Sequence, residues 1–257
     1  MSTSINVQSS ITQIESPKAA ICLRGVSKKI LSAQGRKIVI RNAEFSLASG
    51  KIGAVFGFSG SGKSNLLEII GGLQKVDAGE VVVAGTDLTT LTRDEILSFR
   101  RNLISFVFES DNLIPDLQVQ ENLELPFILA KKEISRYDFE SITQLFKLNH
   151  ILTAYPEELS LFAARKVAIA RAFLTGNPIL LAFNPVAAIS PQEQQQLLSF
   201  LQIAAREKQI TVLFSTDLPS ATAIADTAYL MQDSQLVGEI ESPTTRTVLF
   251  ALEALNS

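Results

Sequence analysis

The run Gly57-Phe58-Ser59-Gly60-Ser61-Gly62-Lys63-Ser64 fills the pattern GxxxxGK[ST] at every fixed position. Its glycines allow successive backbone N–H groups to turn inward on a phosphate. Lys63 is spaced to reach the β and γ phosphates of a nucleotide, and Ser64 offers a hydroxyl to Mg2+. A helix opening near Lys63 adds its positive end. With Asn65 alongside, the expected ligand-binding set is Gly57, Ser59, Gly60, Ser61, Gly62, Lys63, Ser64 and Asn65. The pattern speaks for phosphate binding and names neither a base nor hydrolysis.

A loop of this kind needs a strand before it and a helix behind it. Residues 52–56 (IGAVF) read as a fully apolar strand, and 64–72 (SNLLEIIGG) has helical spacing that stops at a glycine pair. Short strands are expected at 20–25, in 36–48 as paired strands, and at 79–86, 104–108, 179–183, 210–214, 227–231 and 235–241. Helices are expected from Arg93 to about Arg101, over 161–175 and over 219–225. Another starts where Ser190 can be the N-cap, Pro191 the first helical residue and Glu193 the reciprocal cap. Residues 111–160, broken by Pro115, Pro126 and Pro156, read as a helical insertion. Strands followed by helices predict an α/β fold with a mostly parallel sheet and helices on both faces.

Composition narrows the chemistry. The 257 residues are 46% apolar, enough to bury a sizeable core. Lys and Arg number 23 against 26 Asp and Glu, a net charge of −3 with no basic run, so no nucleic acid partner is expected. The single cysteine, Cys22, excludes an intrachain disulfide or a cysteine-built zinc cluster; it is expected in a strand core. The single histidine, His150, excludes a multi-histidine metal site and most general-base triads, and reads as a helix-end or surface residue. Residues 1–18 are polar and read as a flexible leader, not a signal peptide. No apolar run approaches the ~18 residues of a membrane span. A mean hydropathy of +0.23 fits a buried parallel sheet and a surface that meets a partner. The reducing cytoplasm is the expected compartment.

The segments 59–88, 106–126, 155–160 and 166–182 together resemble the nucleotide-binding subunit of ABC transporters, in the branch of lipoprotein-release and macrolide-export ATPases. The resemblance runs from Ile21 to Glu241. It implies a P-loop NTPase core of ABC type with an N-terminal antiparallel β subdomain and a helical subdomain inserted at about 110–165. On this reading residues 19–245 form one domain, followed by a C-terminal tail at 246–257. It further implies ATP, with Mg2+, as ligand, a homo- or heterodimer of nucleotide-binding subunits, and an integral membrane permease-like partner. The chain would then sit on the inner face of the cell membrane, with 109–130, including Leu113, Leu117 and Leu123, as the docking region.

Set beside that family, the catalytic positions differ. The magnesium aspartate and catalytic glutamate correspond to Phe183 and Asn184, and the switch histidine to Thr216. Phe183 has no oxygen to offer, and the Asn184 amide takes no proton at neutral pH. The family glutamine is Glu109, a carboxylate that with Ser64 is the candidate Mg2+ set. The signature becomes Leu159-Ser160-Leu161-Phe162-Ala163, in which Leu161 and Phe162 replace glycines and either obstruct an opposing nucleotide or pack internally. Ser190 replaces an aspartate of the dimer seam, and the aromatic that stacks on adenine is replaced by Ile30 or by nothing identifiable in its loop. No pairing of subunits that includes this chain has a complete standard site. Losing one such donor or base costs about 10²–10³ in rate, and such losses are not additive. No catalytic residue is therefore assigned, and hydrolysis is expected absent or near background. Three functions remain open: a pseudo-ATPase scaffold that holds ATP statically, a working transport ATPase that uses Glu109 or another carboxylate, and a structural subunit with an empty loop.

Overall fold

The computed structural model describes residues 19–32 and 35–255. The expected leader at 1–18 lies outside them. A six-stranded sheet forms the centre, in the order β10-β9-β3-β8-β7-β6. Its strands are β3 (Ile52–Phe56), β6 (Ile104–Val107), β7 (Ile179–Phe183), β8 (Thr211–Thr216), β9 (Thr227–Gln232) and β10 (Gln235–Glu241). All pairs are parallel except the edge pair β9–β10. A second, antiparallel sheet has the order β2-β1-β4-β5, from β1 (Ala19–Ser32), β2 (Gly35–Ala48), β4 (Ala78–Val83) and β5 (Thr86–Asp87).

The central strands are buried on both faces, and alternate residues enter different cores. Ile52, Ala54, Leu180, Ala182, Val212 and Phe214 face one side. Val55, Ile179, Leu181, Phe183 and Leu213 face the other. This period of two is what a strand dictates, and it explains why these segments read as unbroken apolar runs. The first side is covered by α3 (Val119–Ala130), α4 (Arg136–Leu145), α5 (Leu161–Leu174) and α6 (Pro191–Glu207). The second is covered by α1 (Lys63–Ile70), α2 (Arg93–Leu103) and the antiparallel sheet. The expected mostly parallel sheet, covered on both faces, is thus present. The helical insertion, with α3 and α4, lies between β6 and β7.

Local signals decide several boundaries. Ser190 caps α6 as expected: its Oγ accepts from Glu193 N at 3.4 Å, and Glu193 returns a bond to Ser190 N at 2.9 Å.

Four expectations are corrected. The short strand at 20–25 is part of the 14-residue β1, and 36–48 is one strand paired with it, not a pair of strands. Register shifts around Val26–Lys29 interrupt the alternation, which hides the second half of β1 in the sequence. The stretch 79–86 divides at Ala84-Gly85, where φ is 48° and 77°, into β4 and the two-residue β5. Cys22 is only half-buried, because β1 turns Ile21 and Leu23 inward and Cys22 with Arg24 outward. The tail at 246–257 is largely helix: α7 (Thr245–Leu255) is capped by Thr244, which accepts from Thr247 N at 3.1 Å, and buries Val248 against Phe56 and Leu230. His150 is exposed in a single turn at Asn149–Ile151, as expected.

Candidate functional site

β3, β6, β7 and β8 all end on one edge of the parallel sheet, the edge where open α/β sheets hold ligands. The phosphate loop leaves β3 there and enters α1 at Lys63. Gly60 and Gly62 have φ of 81° and 106°, a conformation that side chains resist. A Cβ at Gly57 would lie 2.3 Å from Met231 O, and one at Gly62 2.5 Å from Val39 O, so the loop is packed against its surroundings as backbone. Gly57 N donates to Thr216 O at 3.2 Å.

A cavity of about 390 Å³ opens over the loop. Ser59, Gly60, Gly62, Lys63, Ser64 and Asn65 line it, together with Glu109. Gly57 and Ser61, also in the expected set, line a different, neighbouring cavity with Phe58. Lys63 Nζ donates to Gly57 O at 2.5 Å and to Phe58 O at 3.0 Å. Burial pushes this ammonium below the usual lysine range, against the opposing pull of Asp217.

The donors fit a polyphosphate: backbone bent as a cradle, a lysine, a hydroxyl and the start of a helix. Ser64 and Glu109, the candidate Mg2+ residues, both line this cavity. Among the described residues no group of three or more His, Cys, Asp or Glu is arranged to hold a metal ion.

Phe183 does not line this cavity. It stacks on Phe108 with ring centroids 5.1 Å apart, and Phe108 stacks in turn on Phe106 at 5.6 Å. Asn184 does line it; its φ is 45°, and its Oδ1 is buried without a partner. Thr216 is fully buried, and its Oγ1 accepts from Leu218 N at 3.1 Å, a bond within its own turn. At the signature, Ser160 caps α5 through Ala163 N at 3.2 Å. Leu161 stands exposed at the helix start, while Phe162 packs inward with Lys166 Nζ over its ring at 5.2 Å. The two readings of this pair thus divide between the two residues.

Several residues of the site escaped the sequence reading. Asp217 and Lys37 both line the cavity. The signal for Asp217 was its place just after β8, at the sheet edge that carries the loop. Ser234, in the β9–β10 turn, also lines it: its N donates to Ser61 O at 3.0 Å and its Oγ to Ile38 O at 3.2 Å. Behind the cavity lies a buried ion pair between Arg165 and Asp111. Arg165 also donates to Glu109 O at 2.8 Å, Pro185 O at 3.2 Å and Asn184 O at 3.3 Å. Arg171 takes Asp111 O and Asn112 O, each at 2.9 Å. Two arginines of α5 therefore hold the loop that bears Glu109, and one of them also holds the turn that bears Asn184. Burial pushes the Asp111 carboxyl upward, with Arg165 and Arg171 pulling it back.

A family model described as ABC transporter matches residues 40–187, a stretch that contains the phosphate loop, Glu109 and Asn184. The chain is similar to the ABC transporter ATP-binding protein YtrE of Bacillus subtilis strain 168, at 32% identity over 79% of this chain and 88% of that protein. It is also similar to the macrolide export ATP-binding/permease protein MacB of Escherichia coli, at 32% identity over 79% of this chain. It spans 32% of that relative's length. Among solved structures, the ATP-binding cassette MJ0796, in a dimeric post-hydrolysis state bound to ADP and Pi, has a TM-score of 0.78 at 29% identity. That likeness covers 86% of this chain and 98% of the other. With its phosphate loop at the edge of a parallel sheet, an antiparallel sheet beside it and a helical insertion, the chain belongs to the ABC transporter family, among its ATP-binding domains.

Proposed function

We propose that this chain is a catalytically degenerate nucleotide-binding subunit that holds ATP without cutting it and scaffolds a membrane transporter-like complex. One observation carries the reading. The phosphate cradle is complete, while Phe183 is withdrawn into an aromatic stack and Thr216 is buried away from the cavity. Gly57 to Asn65 bind the phosphates, with Lys63 and Ser64 as principal contacts; a bound Mg2+ would supply charge neutralisation and be held by Ser64 and Glu109. The Asn184 side chain is an amide, which takes no proton from an attacking water. The partners are a permease-like integral membrane subunit and a second nucleotide-binding subunit, identical or not. They hold this chain on the inner face of the cell membrane. Names such as MacB and the MJ0796 dimer support this assembly. Among the described residues no helix is long and apolar enough to cross a membrane. Purified protein should bind Mg-ATP and hydrolyse it no faster than Lys63→Ala does. Clear Lys63-dependent turnover would overturn the proposal.

A second reading, a working ATPase, is favoured by the two carboxylates at the cavity, Glu109 and Asp217. In that case Glu109→Gln or Asp217→Asn should lower the hydrolysis rate about 10²-fold, the usual scale for losing a catalytic group. Unchanged rates in both variants would remove this alternative.

A further inference from the structure

The neighbouring cavity, of about 240 Å³, has the phosphate loop as a wall in common with the first: Ser59 and Gly60 line both. The rest of its lining comes from the ends of β3 and β9, from β10 and from α7. Val248 of α7 is buried against Phe56 and Leu230, and Leu252, one turn further on, lines the space beside the loop. The apolar walls are Phe56, Phe58, Leu230, Met231, Val237 and Leu252. The Phe56 and Phe58 rings meet edge to face with centroids 6.1 Å apart, and Phe58 is 61% exposed. Such rings and a methionine sulfur favour a flat aromatic guest. An apolar cavity of about 150 Å³ already takes benzene, so this one has room for a second fused ring. Among the described residues that line it none is basic, and Asp233 is the one charged residue, so an anion is disfavoured. Ser61 is 8% exposed, and its Oγ is buried without a partner. A donor on the edge of the guest would satisfy that oxygen. We infer that this cavity binds a neutral two-ring aromatic with one hydrogen-bond donor, the class of indole, and that its occupant tightens the loop's hold on phosphate. Both ligands touch Ser59 and Gly60, and the loop shape that keeps both cavities open is the one each of them fits. Each therefore favours the state that the other binds, and the coupling is reciprocal.

The site stands apart from the nucleotide-binding reading above; the coupling rests on it. Titration of the full chain with indole, followed in the protein's amide NMR signals, tests the site. Indole should bind with a Kd below about 1 mM and shift the signals of Phe58, Leu230, Val237 and Leu252. Indole-3-acetate, which adds a negative charge, should bind at least about 10-fold more weakly. Val237 is 38% exposed on the edge strand β10, so Val237→Trp fills the cavity without entering the core and should abolish indole binding. Leu252→Ala removes apolar contact and should weaken it about 5-fold. Saturating indole should tighten Mg-ATP binding, read by calorimetry, about 5-fold, the lower range for coupled sites. Absence of indole binding, or binding that neither variant moves, would overturn the site. Indole-3-acetate binding as tightly as indole would overturn its chemical class. An Mg-ATP affinity that indole leaves unchanged would overturn the coupling. A chain that takes indole and no Mg-ATP would overturn the nucleotide reading, and the coupling with it, and support the site.

Discussion

Phe183, at the end of β7, lies outside the cavity over the phosphate loop. Its side chain belongs to the core beside α1, stacked on Phe108 and in line with Phe106. Each such aromatic pair is worth about 0.5–1.5 kcal/mol beyond the area it buries. Gly71 accommodates the stack, since a Cβ there would meet the Phe106 ring at 2.6 Å. Phe183→Ala should therefore destabilise the chain by about 3 kcal/mol, the usual cost of emptying a buried phenylalanine. Nucleotide affinity in the same variant should stay unchanged; urea unfolding and calorimetry read the two effects apart. The phosphate loop was legible in the sequence because glycine, lysine and serine act through the backbone next to them. The residue types at Phe183, Asn184 and Thr216 were legible as well. Where the Phe183 ring goes was not, because the answer depends on Phe108, which no local pattern links to it. Asp217 was missed because a single acidic residue after a strand carries no pattern of its own.

At the scale of elements, α5 holds the loop between β6 and α3 to the end of β7. Arg165 and Arg171 together engage the backbone carbonyls of Glu109, Asp111, Asn112, Asn184 and Pro185. Asp111 and Asn112 have φ of 57° and 49°, so the loop is bent where the arginines grip it. Arg165→Met should destabilise by about 3–5 kcal/mol, because it strands the Asp111 carboxylate in the interior. Arg165→Met combined with Asp111→Leu should recover most of that loss, and a double-mutant cycle in urea measures the difference. Failure of the double variant to recover would place the cost in the lost carbonyl contacts instead. Element boundaries were readable where a cap sits beside its helix, as at Ser190, Pro191 and Glu193. The hairpin β1–β2 was not, since its irregular register breaks the period of two around Val26–Lys29. Nor was α7, whose cap at Thr244 is clear only beside the surface that buries Val248. An arginine in an apolar helix was a visible anomaly, but its partner lies 54 positions away in the chain.

Across the whole molecule, polar contacts tie the two sheets together. Tyr229 on β9 donates its hydroxyl to Ser46 O on β2 at 2.6 Å and packs edge-on against Phe45. Burial, assisted by Glu239, pushes its phenol up to about 12. A group whose pKa is raised on folding contributes stability that is complete below its unfolded value, near 10 for tyrosine, and is lost as pH rises through the folded value. Stability should therefore fall between about pH 10 and 12, and Tyr229→Phe should flatten that part of the profile relative to the parent chain. An unchanged slope in the variant would assign the alkaline loss to other groups. The α/β architecture was legible because apolar runs, glycine turns and helix caps agree along the chain. The way the sheets meet is written in side chains far apart in sequence.

Ser234 is one such side chain, and its position has a consequence for how this protein can diverge. This one residue of the β9–β10 turn is bonded at once to the phosphate loop, through Ser61 O, and to β2, through Ile38 O. An insertion in the β9–β10 connection would therefore displace the loop and the strand together.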